Sequence, residues 1–214
     1  MIVSHKLKVI FIKTKKVAGT SFEIALSKYC GESDIITPIS DDDEQIRKDM
    51  GYVCAQNYKS PEYNLRFIES ELFYNHMDAL SIKNSIPADI WDNYLKISIA
   101  RDPCEVIISR YFYDLSYNQS LISFIDYVYS CSDEILSENN FITHIKGVNV
   151  IDYMIKYENL QQDISLLEKK INAPGLYQTF KRMNAKGNIR PHNANVNTMF
   201  TEELKDYVQK KARL

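Results

Sequence analysis

The stretch FIKTKKVAGTSFEIAL, residues 11–26, places lysines, small residues and hydroxyls in the order an anion-binding turn needs. A short apolar run, VIFI at 9–12, gives way to Lys13, Lys15 and Lys16 and then to Ala18, Gly19, Thr20 and Ser21. The chain runs on directly into an amphipathic segment. A turn that enters a helix this way offers unpaired backbone N–H groups and the positive end of the helix dipole to an anion. Lys16 adds a point charge, Gly19 permits close backbone approach, and Thr20 and Ser21 add hydroxyl donors. The magnesium-dependent nucleotide signature, GxxxxGK followed by Ser or Thr, is missing. Thr14 stands where its first glycine would be, and the lysine precedes the glycine. The hydroxyl that would hold magnesium beside such a lysine is therefore absent. Taken alone, the loop reads equally well as a surface lysine cluster ahead of an ordinary helix. Lys13 and Lys15 have that reading as solvated charges, and for Lys13 it is the preferred one.

A second stretch, RDPCEVIISRYFY, shifts the balance. It puts Arg101 at the end of the strand-like run LKISIA and Ser109 eight residues on, in a helix that Pro103 can open. In an open α/β sheet, ligands bind outside the carboxyl ends of strands, which is where both stretches fall. If those strands are neighbours, one elongated ligand with two separated anionic groups spans them. A guanidinium fork with a hydroxyl beside it is a good receptor for a terminal phosphate.

The elements that must position these residues alternate between strand-like and helix-like patterns, which predicts an α/β fold with a mostly parallel sheet. A first strand is expected over residues 8–13. The helix after the loop buries Phe22, Ala25, Leu26 and Tyr29 at helical spacing. Residues 33–61 read as a long connection with one short helix near 42–48. LKISIA turns Leu95, Ile97 and Ile99 to one face, and a helix follows over 104–115. IDYMIKY, residues 151–157, reads as a third strand, and the next segment stripes Leu160, Ile164, Leu167 and Ile171 along a helix. KRMNAKGNIRPHNANVN is basic and irregular. It leads to Thr201, a helix N-cap, with Glu202 and Glu203 at the positive end of the last helix and Lys210, Lys211 and Arg213 at its negative end.

At 214 residues the chain is read as a single domain, 1–214, large enough for a full hydrophobic core. A net charge of −2 gives no global attraction to nucleic acid, so an anion site must be a local basic cluster. Cys30, Cys54, Cys104 and Cys131 form no CxxC pair, which points to reduced thiols and a cytoplasmic setting rather than a disulfide framework or a zinc site. No apolar run is long enough for a signal peptide or a membrane span.

FIKTKKVAGTS resembles the 5′-phosphosulfate loop of PAPS-dependent sulfotransferases, and RDPCEVIIS resembles their 3′-phosphate motif, with Arg and Ser at the same separation. The nearest branch is the carbohydrate, heparan-type one, whose loop commonly reads PKTGGTS. YENL, residues 157–160, and KGNIRPH fit more loosely. The resemblance implies a P-loop-like three-layer fold, a central, mostly parallel sheet flanked by helices, that grips a 5′-phosphosulfate without metal. That explains why the magnesium-binding hydroxyl is not needed. Lys15 stands for the family's Pro, Val17 for a Thr and Ala18 for a Gly. Ala18 is expected at φ below zero, where a side chain fits easily.

By the same resemblance, Lys15, Lys16 and the amides of Ala18, Gly19, Thr20 and Ser21 bind the 5′-phosphosulfate, and Lys16 also stabilises the oxygen that leaves sulfur. Arg101 and Ser109 take the 3′-phosphate, and Lys186, Gly187 and Arg190 close over the nucleotide. The implied reaction carries sulfuryl from PAPS to a hydroxyl acceptor, a glycan or small alcohol, leaving PAP. A general base is then required. His76 lies where heparan-type relatives place one, with Glu71 and Asp78 as substitutes. His5 and His144 read as structural, and His192 as either. Tyr111, Phe112 and Tyr113 could stack on a ligand but more often would be core, and Glu158 reads as a cap or structural partner. Two other readings stay open: a P-loop-type nucleotide kinase dependent on ATP and magnesium, and a PAP-binding module without catalysis.

Overall fold

Short apolar strands stack into a central sheet with a hydrophobic core on each face. The structure, a computed structural model, describes residues 1–59, 72–118, 122–183 and 189–213. It begins with two strands paired antiparallel, β1 (Ile2–Ser4) and β2 (Val9–Phe11). The basic loop follows, then α1 (Gly19–Ser27), β3 (Ile35–Ile36) and α2 (Asp41–Asp49). Next come α3 (Ala79–Ser85), α4 (Ala88–Asn93), β4 (Leu95–Ala100) and the long α5 (Pro103–Asn118). Helices α6 (Phe124–Ser130) and α7 (Asp133–Thr143) lead to a small hairpin, β5 (His144–Ile145) and β6 (Val148–Asn149). After β7 (Tyr153–Lys156), a 3₁₀ turn at Tyr157–Asn159 enters α8 (Leu160–Lys170). Helices α9 (Leu176–Arg182), α10 (Val196–Met199) and α11 (Glu202–Lys211) complete the chain.

The five-stranded sheet has the order β3-β1-β2-β4-β7. β2, β4 and β7 run parallel, whereas β1 opposes both of its neighbours. The fold is therefore mixed α/β with a mostly parallel sheet. Alternation sorts the side chains: Ile2, Val9, Phe11, Ile97 and Ile99 meet α1, α8 and α9, while Val3, Ile10 and Ile12 meet α3 and Trp91 of α4. A third cluster gathers α5, α6, α7 and α11. β4 is buried on both sides, so its second face carries Lys96 and Ser98 inward as well. Lys96 answers its burial with an ion pair to Asp152 at 2.9 Å and bonds to the carbonyls of Trp91 and Tyr94. Among the described residues, no helix is long and apolar enough to cross a membrane.

The first expected strand, residues 8–13, shortens to β2, although Ile12 still donates to the Ile97 carbonyl at 2.9 Å. β1 was not expected, because three residues before a turn are too few to show a period. Within the segment read as irregular, α10 forms one helical turn because Asn195 and Thr198 close a capping box. Thr201 caps α11 as expected, its hydroxyl accepting from the Leu204 amide at 3.2 Å.

Lys13 is not a solvated loop charge. It is buried and paired with Glu23 at 2.7 Å. Strand β2 ends by pointing this lysine inward, toward the inner face of α1 that carries Glu23. The same fully buried carboxylate takes the α-ammonium of Met1 at 2.8 Å and lies 3.8 Å from Arg47, which also pairs with Glu44. Burial alone would raise the Glu23 carboxyl, but Lys13, the α-ammonium and Arg47 outweigh it and hold it down at about 2. The Lys13 stem runs directly beneath the start of α1. A Cβ at residue 19 would meet Lys13 Cγ at 3.0 Å, so Gly19 answers to this buried lysine.

Glu23→Ala strands Lys13 and Arg47 beside a missing carboxylate and is expected to remove about 3–5 kcal/mol of stability in urea titrations. The Glu23 carboxyl titrates at about 2 when folded against an ordinary 4.5, so its contribution is complete above about pH 4.5 and lost as pH falls toward 2. In the Glu23→Gln protein that part of the acid dependence should vanish. An unchanged acid limb would show that other carboxylates govern it.

Candidate functional site

Parallel pairing of β2 with β4, in the register Val9↔Leu95 and Phe11↔Ile97, sets their carboxyl ends side by side. Two hydroxyls extend the join beyond the strand. Ser98 donates to the Ile12 carbonyl at 2.7 Å, and Thr14 donates to the Ile99 carbonyl at 2.5 Å. The basic loop and the Arg101–Ser109 pair consequently line one cleft of about 440 Å³, a size suited to a small ligand. Arg101 Nη1 donates to the Lys16 carbonyl at 3.1 Å, so the two stretches touch directly. His76, Tyr113, Tyr157 and Arg190 complete the walls.

The loop is held in a conformation that side chains resist. Lys16 has φ +61° and Ala18 φ +60°, whereas Lys15, Val17 and Gly19 between and beside them are not in that region. Alternation of this kind turns successive N–H groups toward a common concavity, a device for binding anions. Ala18 thus departs from the expected negative φ. It keeps the left-handed geometry and bears the strain, of order 1–3 kcal/mol for a non-glycine residue. Ala18 is also the N-cap of α1 without a side-chain cap, which leaves the first-turn amides as donors along the cleft.

Support for this conformation comes from α7. Asn139 grips residue 15 with both ends of its amide: Oδ1 accepts from the Lys15 N–H at 2.8 Å and Nδ2 donates to the Lys15 carbonyl at 3.1 Å. Glu138 pairs with the Lys15 ammonium at 2.9 Å and also with Arg110 of α5. Lys15 lines the cleft, but its charge is engaged with Glu138. The Lys16 ammonium sits 3.5 Å over the Tyr113 ring, a cation–π contact that fixes where its charge lies.

His76 faces the same space at φ +61°, with Nδ1 3.0 Å from the Lys13 carbonyl. A carbonyl only accepts, so Nδ1 carries the proton and Nε2 keeps its lone pair. Burial, followed by the charge of Lys13, pushes the ring down to about 3, which keeps it neutral.

At the other end, Arg101 stacks 4.0 Å from the centre of the Tyr157 ring and pairs with Glu105, as does Arg190. Ser109 lines the cleft one turn beyond Glu105. Lys186, Gly187 and Glu71 lie outside the described residues. Asp78 caps α3, accepting from the Ser81 amide at 3.0 Å, and Glu158 accepts from the Asp102 amide at 3.3 Å. His5 meets the Tyr94 hydroxyl, His144 the Asn140 carbonyl, and His192 is exposed. Tyr111 and Phe112 pack edge to face, and Tyr111 also meets Phe124 and Tyr127 in the same way, leaving Tyr113 for the cleft. Among the described residues, no cluster of three or more His, Cys, Asp or Glu side chains is placed to hold a metal ion.

Sequence reading passed over Glu105, Arg110, Glu138 and Asn139. Glu105 carried a usable signal, an acid four residues after Arg101 inside the same motif. Glu138 and Asn139 carried none, since 124 residues separate Asn139 from the loop it holds.

The site is thus a cationic cleft at the strand ends of a mixed α/β fold. The chain belongs to the same family as an archaeal protein from Archaeoglobus fulgidus, which bears the name "Uncharacterized protein". The two are 30% identical over 105 residues, covering 46% of this chain and 84% of the relative. No protein-family model matches the chain. No solved structure matches it either.

Ala18→Gly should relieve the left-handed strain and raise stability by about 1 kcal/mol in denaturant titrations. A destabilised variant would mean that the methyl group contributes more by packing than it costs in backbone strain. For His76, ¹⁵N-resolved ring signals are expected to show a neutral Nδ1–H tautomer with no titration step between pH 5 and 8. A step near 6.5 would contradict the burial of the ring beside the Lys13 carbonyl.

Proposed function

We propose that this protein is a sulfotransferase on a P-loop-like variant of the α/β fold, moving the sulfuryl group of PAPS to a hydroxyl of carbohydrate type and releasing PAP. One observation carries the reading: two basic stretches far apart in sequence line a single cleft at the ends of neighbouring parallel strands. A nucleotide with phosphates at both ends suits that arrangement.

In this reading the loop amides and Lys16 hold the 5′-phosphosulfate, and Arg101, Ser109 and Arg190 hold the 3′-phosphate. The acceptor oxygen bonds to sulfur as its proton passes to Nε2 of His76. The bond from sulfur to the bridging oxygen breaks, and its electron pair remains on that oxygen beside the Lys16 ammonium. Catalysis of this kind rests on positioning and electrostatics rather than on a metal-bound nucleophile. Burial is the larger cause of the low His76 basicity and the charge of Lys13 the next, and a bound dianion would offset the second and raise its basicity.

The low basicity of His76 gives a second reading some support, namely a PAP-binding module without turnover. The two part on catalysis. Lys16→Ala and Arg101→Ala should each weaken calorimetric binding of adenosine 3′,5′-bisphosphate by about 10- to 100-fold, the value of a charge-assisted hydrogen bond. Unchanged affinity in both variants would remove the nucleotide reading. His76→Ala should leave that affinity intact and lower sulfate transfer from PAPS by about 100-fold or more across a panel of glycan and small-alcohol acceptors. Nucleotide binding with no transfer by the wild-type protein to any acceptor would favour the binding module. Turnover that needs ATP and fails with a metal chelator would favour a kinase.

A further inference from the structure

The two arginines at the far end of the cleft are already held by an anion belonging to the chain itself. Glu105 Oε2 accepts from Arg101 Nη2 at 3.0 Å and from Arg190 Nη1 at 2.6 Å, and its Oε1 accepts from Arg190 Nη2 at 3.2 Å. Arg190 therefore presents a two-point fork to the carboxylate, and Arg101 adds a third bond. The other donors of these guanidiniums are partly committed: Arg101 Nη1 to the Lys16 carbonyl at 3.1 Å and Arg190 Nε to the Ala194 carbonyl at 2.6 Å. Arg101 Nε is buried with no hydrogen-bond partner. The Glu105 side chain is only 24% exposed, so water screens these pairs weakly. Burial works against its charge, but Arg190 and Arg101 hold its carboxyl below the usual range and keep it anionic at neutral pH.

A terminal phosphate at this end needs the same guanidinium N–H groups. It must take them from Glu105, or share them at a distance where two negative charges repel. Either way, the carboxylate lowers the affinity for a ligand that uses the arginines and does not affect one that stays at the lysine loop. We propose that Glu105 is an internal competitor for the arginine end of the cleft, which yields Arg101 and Arg190 to a nucleotide's terminal phosphate and hastens that nucleotide's departure when it takes them back. The inference rests on the nucleotide reading above and adds a function for a residue that reading leaves unused. It links tight recognition to release: two guanidiniums supply recognition, and a carboxylate in the first turn of α5 keeps product from being retained.

The test is a calorimetric and stopped-flow comparison of the wild type with Glu105→Gln, using adenosine 3′,5′-bisphosphate and adenosine 5′-monophosphate. The variant is expected to bind the bisphosphate about tenfold more tightly, as when a binding-competent fraction near one tenth becomes complete. The gain should lie in a slower dissociation rate, with 5′-monophosphate affinity unchanged. Equal or weaker bisphosphate binding would overturn the inference and make Glu105 a builder of the arginine site. An equal gain for both nucleotides would overturn it too, since that is the mark of a diffuse charge effect. If neither protein binds the bisphosphate, the nucleotide reading itself fails and the inference falls with it. Should Glu105→Gln not fold, Glu105→Asp gives the same direction, because it draws the charge back from the fork by one methylene. Tighter bisphosphate binding by Glu105→Asp supports competition, and unchanged or weaker binding rejects it.

Discussion

Pairing of Val9, Ile10 and Phe11 with Leu95, Lys96 and Ile97 is a small contact on which the rest of the site depends. Parallel strands share a direction, so their carboxyl ends must open at the same edge of the sheet. The loop after β2 and the turn before α5 are therefore neighbours, although more than eighty residues separate them. Hydroxyls of Thr14 and Ser98 continue the pairing past the last ladder bond and tie the loop to the adjacent strand. A slip of one residue would turn Phe11 and Ile97 away from their common core and carry the loop out of the cleft.

Around that edge, the cations are held by carboxylates of the chain. Lys13 has Glu23, Lys15 and Arg110 share Glu138, and Arg101 and Arg190 share Glu105. This arrangement explains how a chain of net charge −2 can concentrate positive charge in one place. Each pair also fixes geometry, because a buried or half-buried charge is costly unless its partner is close. The pairs differ in depth. Lys13 and Glu23 are buried beneath the loop and act as structure, while Arg101 and Arg190, which share Glu105, line the cleft.

Strain is concentrated in the same region. Lys16, Ala18 and His76 all occupy the left-handed region that non-glycine residues avoid, and all three line the cleft. Surrounding contacts hold them there: the Asn139 amide on residue 15, the Arg101 bond to the Lys16 carbonyl, and the His76 ring on the Lys13 carbonyl. Strain maintained by so many specific contacts is typical of places where proteins bind and react.

Much of this was legible in the amino-acid order. Apolar alternation marked β4 and β7, helical spacing marked α1 and α8, and small basic residues between a strand and a helix marked the loop. Those signals are local, because they arise from the period of the backbone itself. The sequence by itself therefore determined β2, β4, β7, the helices α1, α2, α5, α8 and α11, the loop and the Arg101–Ser109 pair. Only the tertiary structure decided that Lys13 turns inward to Glu23, that Ala18 accepts a left-handed backbone, and that Glu138, Asn139 and Glu105 surround the cations. Those outcomes depend on which distant side chains come within a few ångströms, and a one-dimensional pattern holds no record of such distances.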